Sequence, residues 1–202
     1  MMIVVEGPDG SGKSTLVESL RIHSHHYFII LRASRAPTTR EDMLRYMSWS
    51  KQKPLPLDIL MDRHPAISEM IYGPLIRQQN RLKDFDSESG REALLKGVTH
   101  IIYCRPITPV IEATALKTWQ MDGVKEKITD IIQQYDWIMA ELLKKFSVFH
   151  YDYNKDSVES LIGRIWNGSA HLRESVRAPV SASAAIPENR GTEPSPPAQD
   201  PT

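Results

Sequence analysis

One short segment near the start of the chain constrains the fold more than any other. It is the run Gly7-Pro8-Asp9-Gly10-Ser11-Gly12-Lys13-Ser14, a complete G-x-x-x-x-G-K-[ST] motif. An apolar run, Ile3 to Val5, precedes it, and a segment of helical period follows from Lys13. The glycines allow a tight turn in which backbone N–H groups point at phosphate oxygens, next to the positive end of a helix. The segment therefore predicts a strand, a phosphate-binding loop and a helix in that order.

The side chains of this loop are of the types that bind nucleotide phosphates. We expect Lys13 to bridge the β- and γ-phosphates of ATP and Ser14 to ligate Mg²⁺. Asp9 would face the acceptor side and orient a hydroxyl or a metal-bound water, and its alternative role is that of an Asx residue stabilising the turn. ATP and Mg²⁺ are the predicted cofactors. The residues predicted to bind ATP within the loop are Gly7, Pro8, Asp9, Gly10, Ser11, Gly12, Lys13, Ser14 and Thr15.

Short apolar runs alternate with longer segments of helical period, the pattern of a parallel sheet with crossover helices. The predicted strands are Met2–Val5, Tyr27–Leu31, Leu57–Met61, Val98–Cys104 and Val148–Tyr151. The predicted helices are Lys13–His23, Thr39–Ser48, one that opens at Pro65, Val124–Phe146 and Asp156–Trp166. The polar run Asp84–Gly90 is predicted to be a mobile loop. We therefore expect a three-layer α/β domain.

A second pair of charged residues, Asp62-Arg63, ends the third apolar run. The pair would lie at the carboxyl edge of the sheet, where ligands bind in open α/β folds. Asp62 is suited to holding Mg²⁺ through water, and Arg63 to binding a phosphate through two hydrogen bonds. The predicted catalytic residues are therefore Lys13, Asp9, Asp62 and Arg63, and the predicted metal ligands are Ser14 and Asp62. The alternative for Asp62-Arg63 is an ordinary surface ion pair.

Composition separates the end of the chain from the rest. Of 202 residues, the last 25 hold 6 of the 14 prolines and carry three acids against one arginine, net −2. Because the whole chain has 25 basic and 25 acidic residues, the remainder is at +2. We predict one domain over residues 1–172 and a disordered Pro/Ala/Ser-rich tail over 173–202.

Charge and hydropathy also bound the environment of the protein. A formal balance of zero argues against binding polyanions by bulk charge. No apolar stretch approaches the ~20 residues that span a bilayer, so no membrane partner is expected. The single cysteine, Cys104, fits a reducing compartment. These features predict a cytoplasmic protein.

The chain up to about Trp166 resembles the thymidylate-kinase-like branch of the P-loop nucleoside monophosphate kinases. The resemblance rests on Glu6-Gly7-Pro8-Asp9-Gly10-Ser11-Gly12-Lys13-Ser14-Thr15, on Asp62-Arg63 and on the order of the elements. It implies the P-loop kinase fold, a five-stranded parallel sheet of order 2-3-1-4-5 flanked by helices. It also implies transfer of the γ-phosphate of ATP to a nucleotide, and a homodimer is an expectation because members of the group are often dimers. The run from Ser68 to Pro74 is similar to viral members, which would place the protein in the cytoplasm of a host.

The resemblance adds candidates on both sides of the transferred phosphate. Asn154 follows the last strand, where the family wraps the adenine, and is a candidate for base contact. The candidates for binding the acceptor are Arg35, His64, Tyr72 and Arg105. Three of the four have an alternative: Arg35 as a solvated charge, His64 as the first residue of a helix, and Tyr72 as a packing residue.

Two stretches typical of thymidylate kinases are missing, and their absence bears on the acceptor. The chain reads Leu31-Arg32-Ala33-Ser34-Arg35-Ala36-Pro37 where those enzymes carry an Arg-Glu-Pro-Gly-like stretch, and it has no Phe-Ala-x-x-Arg-like stretch. Three functions stay open: phosphorylation of a free pyrimidine deoxynucleoside monophosphate, phosphorylation of the hydroxymethyl group of 5-hydroxymethyluridine within viral DNA, and nucleotide binding without turnover. The missing stretches favour the second function, and the near-neutral charge favours the first.

Overall fold

The computed structural model describes residues 1–32, 39–51, 58–85, 87–117 and 122–166. The strands are β1 (Met2–Glu6), β2 (Phe28–Arg32), β3 (Asp58–Asp62), β4 (His100–Cys104) and β5 (Ser147–Tyr151). The helices are α1 (Lys13–His23), α2 (Arg40–Lys51), α3 (Pro65–Ile76), α4 (Glu88–Leu94), α5 (Thr108–Lys117) and α6 (Ile128–Leu143). Residues 158–166 form a further helix, α7, and Lys83–Phe85 form a 3₁₀ turn. The predicted tail and the candidate Arg35 lie outside the described residues.

The strands form a parallel sheet in the order β2-β3-β1-β4-β5, which confirms the predicted topology. β1 lies in the centre, with Val5 opposite Asp62 of β3 and Ile102 of β4. Every residue of β1 and of β4 is buried, as expected for strands covered on both faces. From β1 the chain first builds β2 and β3 on one side and later β4 and β5 on the other. The carboxyl ends of β1, β3 and β4 therefore border a crevice.

Apolar side chains pack on both faces of the sheet and make the three layers that the sequence predicts. Val4 of β1 faces a core that includes Ile71 of α3 and Ile138 of α6, all at most 2% exposed. Ile3 faces the opposite core with Leu16 of α1 and Leu161 of α7. Each such side chain, fully buried, contributes roughly 1.5–3 kcal/mol. This packing fixes the ends of the central strands, on which the candidate site is built.

Two predictions about local structure are wrong. Asp84–Gly90 is not simply a loop, because its described residues include the end of the 3₁₀ turn and the start of α4. Ser87 caps α4 by accepting a hydrogen bond from the Gly90 N–H (3.1 Å). Position 90 requires glycine because a Cβ there would lie 2.7 Å from the Phe85 backbone. The helix predicted over Val124–Phe146 is shorter, Ile128–Leu143, because residues 122–127 form turns that lead to the N-cap Lys127 and the helix ends at the C-cap Lys144. Across the described ranges, no helix is long and apolar enough to cross a membrane.

Candidate active site

The register of β1 and β3 brings the two sequence motifs together. Val5 lies opposite Asp62, so the loop that follows β1 and the Asp62-Arg63 pair that ends β3 meet at one edge of the sheet. A cavity of about 560 Å³ opens there, a volume within the range of small-molecule sites. Its lining includes Asp9, Lys13, Ser14 and Arg63. The parallel topology thus places Asp9, Lys13 and Arg63, three of the four predicted catalytic residues, around one space.

The phosphate loop turns into α1 at Gly12. Gly12 has a left-handed backbone (φ 81°) and is the N-cap of α1, which begins at Lys13 as the sequence predicts. A Cβ at Gly12 would lie 3.0 Å from the ring of Tyr153, so glycine is required by both backbone and packing. At Gly10 (φ 81°) a Cβ would lie 3.1 Å from Thr114 of α5. The loop is therefore held between Tyr153 on one side and α5 on the other.

Lys13 is buried within this loop. Its side chain is 6% exposed, and its Nζ donates a hydrogen bond to the carbonyl oxygen of Pro8 at 2.5 Å. Burial, followed by the positive charge of Arg63, lowers the pKa of Lys13 to about 8. A phosphate group would compensate this charge better than a single carbonyl oxygen does, since hydrogen bonds between ionised partners are the stronger ones.

Ser14 and Asp62 form a pair of oxygen ligands beside Lys13. The Ser14 hydroxyl donates a hydrogen bond to Oδ2 of Asp62 at 2.9 Å, across 48 residues of sequence. A serine hydroxyl and a carboxylate are the ligand types that hold Mg²⁺ together with substrate phosphates. The two residues therefore fit the predicted metal, and Ser14 also lines the cavity.

Asp9 and Arg63 form an ion pair at the other end of the cavity. Nη2 of Arg63 donates to Oδ1 of Asp9, and the Tyr72 hydroxyl donates to Oδ2 of Asp9 at 3.0 Å. Burial alone would raise the pKa of Asp9, but the charges of Arg63 and Lys13 outweigh it and hold the pKa below its ordinary value. Asp9 is consequently an ionised carboxylate with both oxygens engaged by protein donors.

The remaining candidates lie apart from the cavity lining. His64 is fully buried and caps α3, where its Nδ1 accepts a hydrogen bond from the Ala66 N–H (3.3 Å), and burial lowers its pKa to about 4. Arg105 forms a two-pronged ion pair with Asp136, with N···O distances of 2.8 and 3.0 Å. The Asn154 side chain donates to Asp152 (3.1 Å). For His64 this contact is the one expected of the residue that begins a helix, while acceptor binding by Arg105 and base contact by Asn154 stay predictions.

Three residues at the site were not singled out from the sequence. Tyr153 packs its ring against Gly12, lines the cavity and is 40% exposed. Glu6 is fully buried at the end of β1, and Tyr135 of α6 donates a hydrogen bond to its Oε2 at 3.1 Å. Tyr153 precedes the predicted Asn154, so its position after the last strand is the sequence signal that could have identified it. In the sequence, Tyr135 looks like an ordinary member of the apolar stripe of a helix, and no signal marks it as a site residue.

Comparisons with known proteins give structural relatives only. No protein-family model matches the chain, and no curated protein matches it. YorR from Bacillus subtilis, solved in complex with phosphorylated GDP, superposes with a TM-score of 0.62 at 18% identity, covering 87% of this chain and 98% of that one.

Two further solved structures are similar to the chain. Deoxyadenosine kinase from M. mycoides, solved with dCMP and dCDP, has a TM-score of 0.55 at 16% identity, covering 85% of this chain and 100% of that one. Thymidylate kinase from Candida albicans has a TM-score of 0.53 at 15% identity, covering 85% and 92%. The chain has the P-loop kinase fold. At these identities the likeness establishes the fold and leaves the acceptor open.

Proposed function

We propose that the protein is an ATP-dependent phosphotransferase that moves the γ-phosphate of ATP to a pyrimidine deoxynucleotide. One observation carries the proposal: a single cavity is lined by Lys13 of the phosphate loop, by the Asp9–Arg63 pair and by Ser14, whose hydroxyl is hydrogen-bonded to Asp62. Phosphoryl transfer requires positioned charges on both sides of the moving group more than it requires covalent chemistry. The cavity supplies such charges on two sides.

Each group has a defined task in this proposal. Lys13 and the loop N–H groups bind the β- and γ-phosphates, with α1 adding the positive end of its dipole. Ser14 and Asp62 would hold Mg²⁺, which neutralises charge on the phosphates when bound. Asp9 is placed to accept a hydrogen bond from an acceptor hydroxyl, and Arg63 is placed to stabilise negative charge that develops nearby.

The donor base has a candidate platform in Tyr153. Its ring lines the same cavity as Lys13 and lies against Gly12, at the side where the loop enters α1. An aromatic face supports a nucleobase by stacking, worth about 1–3 kcal/mol per base. We therefore assign the adenine contact to Tyr153 before Asn154, whose amide is engaged by Asp152.

The simplest acceptor is a free pyrimidine deoxynucleoside monophosphate. The ion pairs of the site support a second candidate acceptor, the hydroxymethyl group of 5-hydroxymethyluridine within DNA. Arg63 is already paired with Asp9, and Arg105 with Asp136, so neither is uncommitted for an acceptor phosphate. A hydroxyl acceptor needs only the Asp9 carboxylate, each oxygen of which accepts one protein hydrogen bond and has a second lone pair free for the hydroxyl. One structural neighbour is named a deoxyadenosine kinase, which is consistent with a hydroxyl acceptor on this fold.

Transfer of label from γ-labelled ATP tests the proposal. The acceptor panel comprises free deoxynucleoside monophosphates and DNA duplexes that contain thymine or 5-hydroxymethyluracil. Label on a free nucleotide supports the first acceptor and label on the modified duplex the second. ATP binding without transfer to any acceptor would leave a non-catalytic nucleotide-binding module.

Variants connect any activity to the cavity. Lys13→Ala should lower turnover at least ~10²- to 10³-fold, because a preorganised charge on the transferring group is lost. Lys144→Ala is the matched control, since Lys144 is 61% exposed and pairs with Glu141 on the far part of α6. Equal activity of the two variants would contradict the assignment of the loop. A homodimer and a cytoplasmic location remain predictions.

A further inference from the structure

Arg63 has an unusual backbone conformation for its residue type. Its φ is 72°, in the left-handed region that is energetically unfavourable for a non-glycine residue. Its own N–H donates to the Val5 carbonyl oxygen at 3.0 Å, continuing the ladder between β1 and β3. Such a conformation persists only when the surroundings determine it, so the contacts that hold Arg63 identify what the structure has fixed.

Glu6 holds the peptide that follows Arg63. Its Oε1 accepts a hydrogen bond from the His64 N–H at 2.5 Å, in the place where a strand carbonyl would continue the ladder. Glu6 is fully buried and contributes no surface to the cavity lining. With Val5 holding the N–H of Arg63 and Glu6 holding the N–H of His64, the end of β1 fixes the backbone on both sides of the left-handed residue.

Tyr135 holds the side chain of Arg63. Nη1 of Arg63 donates to the Tyr135 hydroxyl at 3.0 Å, and that hydroxyl donates in turn to Oε2 of Glu6 at 3.1 Å. The Tyr135 ring is fully buried, stacked on Tyr103 and edge-to-face with Tyr72, with ring centres 6.0 and 6.2 Å apart. A phenol packed this way has a fixed hydroxyl. Because a guanidinium is planar, fixing Nη1 also directs Nη2, which donates to Asp9.

We propose that Glu6 and Tyr135 are positioning residues that hold Arg63 in its left-handed conformation with Nη2 directed at Asp9. They set the geometry of the acceptor side of the cavity without contacting either substrate. This inference rests on the proposed function for its kinetic consequence, while the geometry of Arg63 itself is independent of any activity. A purely structural role for the pair would stabilise the fold without favouring one substrate over the other.

Tyr135→Phe is the sharpest variant, because it keeps the packed ring and removes one hydroxyl. Losing a hydrogen bond to a charged group should lower kcat/KM for the acceptor about ten-fold or more. The affinity for ATP, measured by calorimetry, should stay within about two-fold, since the donor contacts are untouched. Tyr103→Phe is the matched control: Tyr103 is equally buried, stacks on Tyr135, and donates its hydroxyl to Asp136 rather than toward Arg63.

Glu6→Gln tests whether the two residues act through the same arginine. If they do, the double variant Glu6→Gln/Tyr135→Phe should lose no more acceptor kcat/KM than the more damaging single variant. Losses that multiply would indicate independent roles and overturn the inference. Equal loss of ATP affinity and acceptor kcat/KM in Tyr135→Phe would also overturn it, as would a lower Tm with unchanged kinetics.

A spectroscopic measurement keeps the inference testable if the enzyme activity is absent. In protein labelled with ¹⁵N-arginine, the Arg63 Nη1–H signals, assigned with Arg63→Lys, should exchange slowly with water in the wild type and in Tyr103→Phe. They should exchange at least about ten-fold faster in Tyr135→Phe, because Nη1 loses its 3.0 Å hydrogen bond to Tyr135 and keeps only the 3.4 Å contact with the Tyr72 hydroxyl. An unchanged exchange rate refutes the positioning role. Failure of the wild type to phosphorylate any acceptor refutes the proposed function alone.

Discussion

Replacing Lys13 by methionine should stabilise the nucleotide-free protein while abolishing phosphate binding. Burial and the charge of Arg63 lower the pKa of Lys13 from 10.5 to about 8. Each pKa unit corresponds to about 1.4 kcal/mol, so the protonated amine costs the folded state on the order of 3 kcal/mol near neutral pH. Methionine is neutral and of similar length, and it leaves the Pro8 carbonyl without its donor at a cost of about 1 kcal/mol. The expected net gain is about 2 kcal/mol, or roughly 4–8 °C in Tm for a chain of this size.

The dependence of the unfolding free energy on pH tests whether the buried charge of Lys13 causes the stability difference. The folded pKa of Lys13 lies below its unfolded value, so between pH ~8 and ~10.5 the unfolded state binds more protons and the wild type gains stability as pH rises. The advantage of Lys13→Met should therefore be full near pH 7 and should disappear toward pH ~10. Other groups that titrate in this range are common to both proteins and cancel in the difference.

Urea unfolding of nucleotide-free protein at several pH values provides the measurement. Lys144→Met is the control, since Lys144 is 61% exposed, and its unfolding free energy should match the wild type within about 0.5 kcal/mol. If Lys13→Met were less stable than the wild type near neutral pH, or if its advantage did not change with pH, the buried charge of Lys13 would not be a cost to the fold.

Four other expectations follow from the described contacts. Asp62→Asn should raise the Mg²⁺ concentration needed for half-maximal turnover about ten-fold or more, as a Mg²⁺ titration would show, with little change in Tm. Arg63→Met should lower the unfolding free energy by about 1–3 kcal/mol, because the partly buried Asp9 and the fully buried Glu6 lose the positive charge that compensates them. Gly12→Ala should cost about 1–2 kcal/mol and weaken ATP binding, checked by calorimetry, since the residue has φ 81° and contacts Tyr153. A chain ending at residue 172 should keep the kcat and KM of the full chain; lost activity would argue against a dispensable tail.

The parts of the structure that could be predicted from the sequence are local or follow from parallel topology. The phosphate loop is contiguous, and the predicted bounds of the helix after it, Lys13–His23, match α1. The strand order that the family resemblance implies sets the third strand beside the first, and the register of Val5 with Asp62 confirms that the two are neighbours. In an all-parallel sheet every strand ends at the same edge, so a charged residue at a strand end is a site candidate wherever the order of strands is known.

What the sequence does not specify is which charges are partners. Arg63 was expected to bind a phosphate, and the structure pairs it with Asp9, 54 residues away. Its other partner, Tyr135, is 72 residues away and lies on a helix whose period marks it only as buried. Arg105 likewise pairs with Asp136, which looks in the sequence like one polar residue of an amphipathic helix. The two contacts made by Tyr135 and Asp136 depend on how α6 packs against the sheet, and the Arg63–Asp9 pair depends on the paths of two loops, none of which a spacing rule encodes.

The two cations that line the cavity affect the fold in opposite ways, and their pKa values show why. Lys13 has no carboxylate within hydrogen-bonding distance among the described residues, so burial dominates and its pKa falls. Burial opposes the charge of Arg63 too, but Tyr72, Tyr135, Asp9 and Glu6 surround it and raise its pKa well above the ordinary value. Arg63 therefore compensates acids that the fold has already buried, and removing it leaves them uncompensated. Lys13 leaves its own charge poorly compensated, which is the arrangement expected of a residue whose partner is a phosphate group.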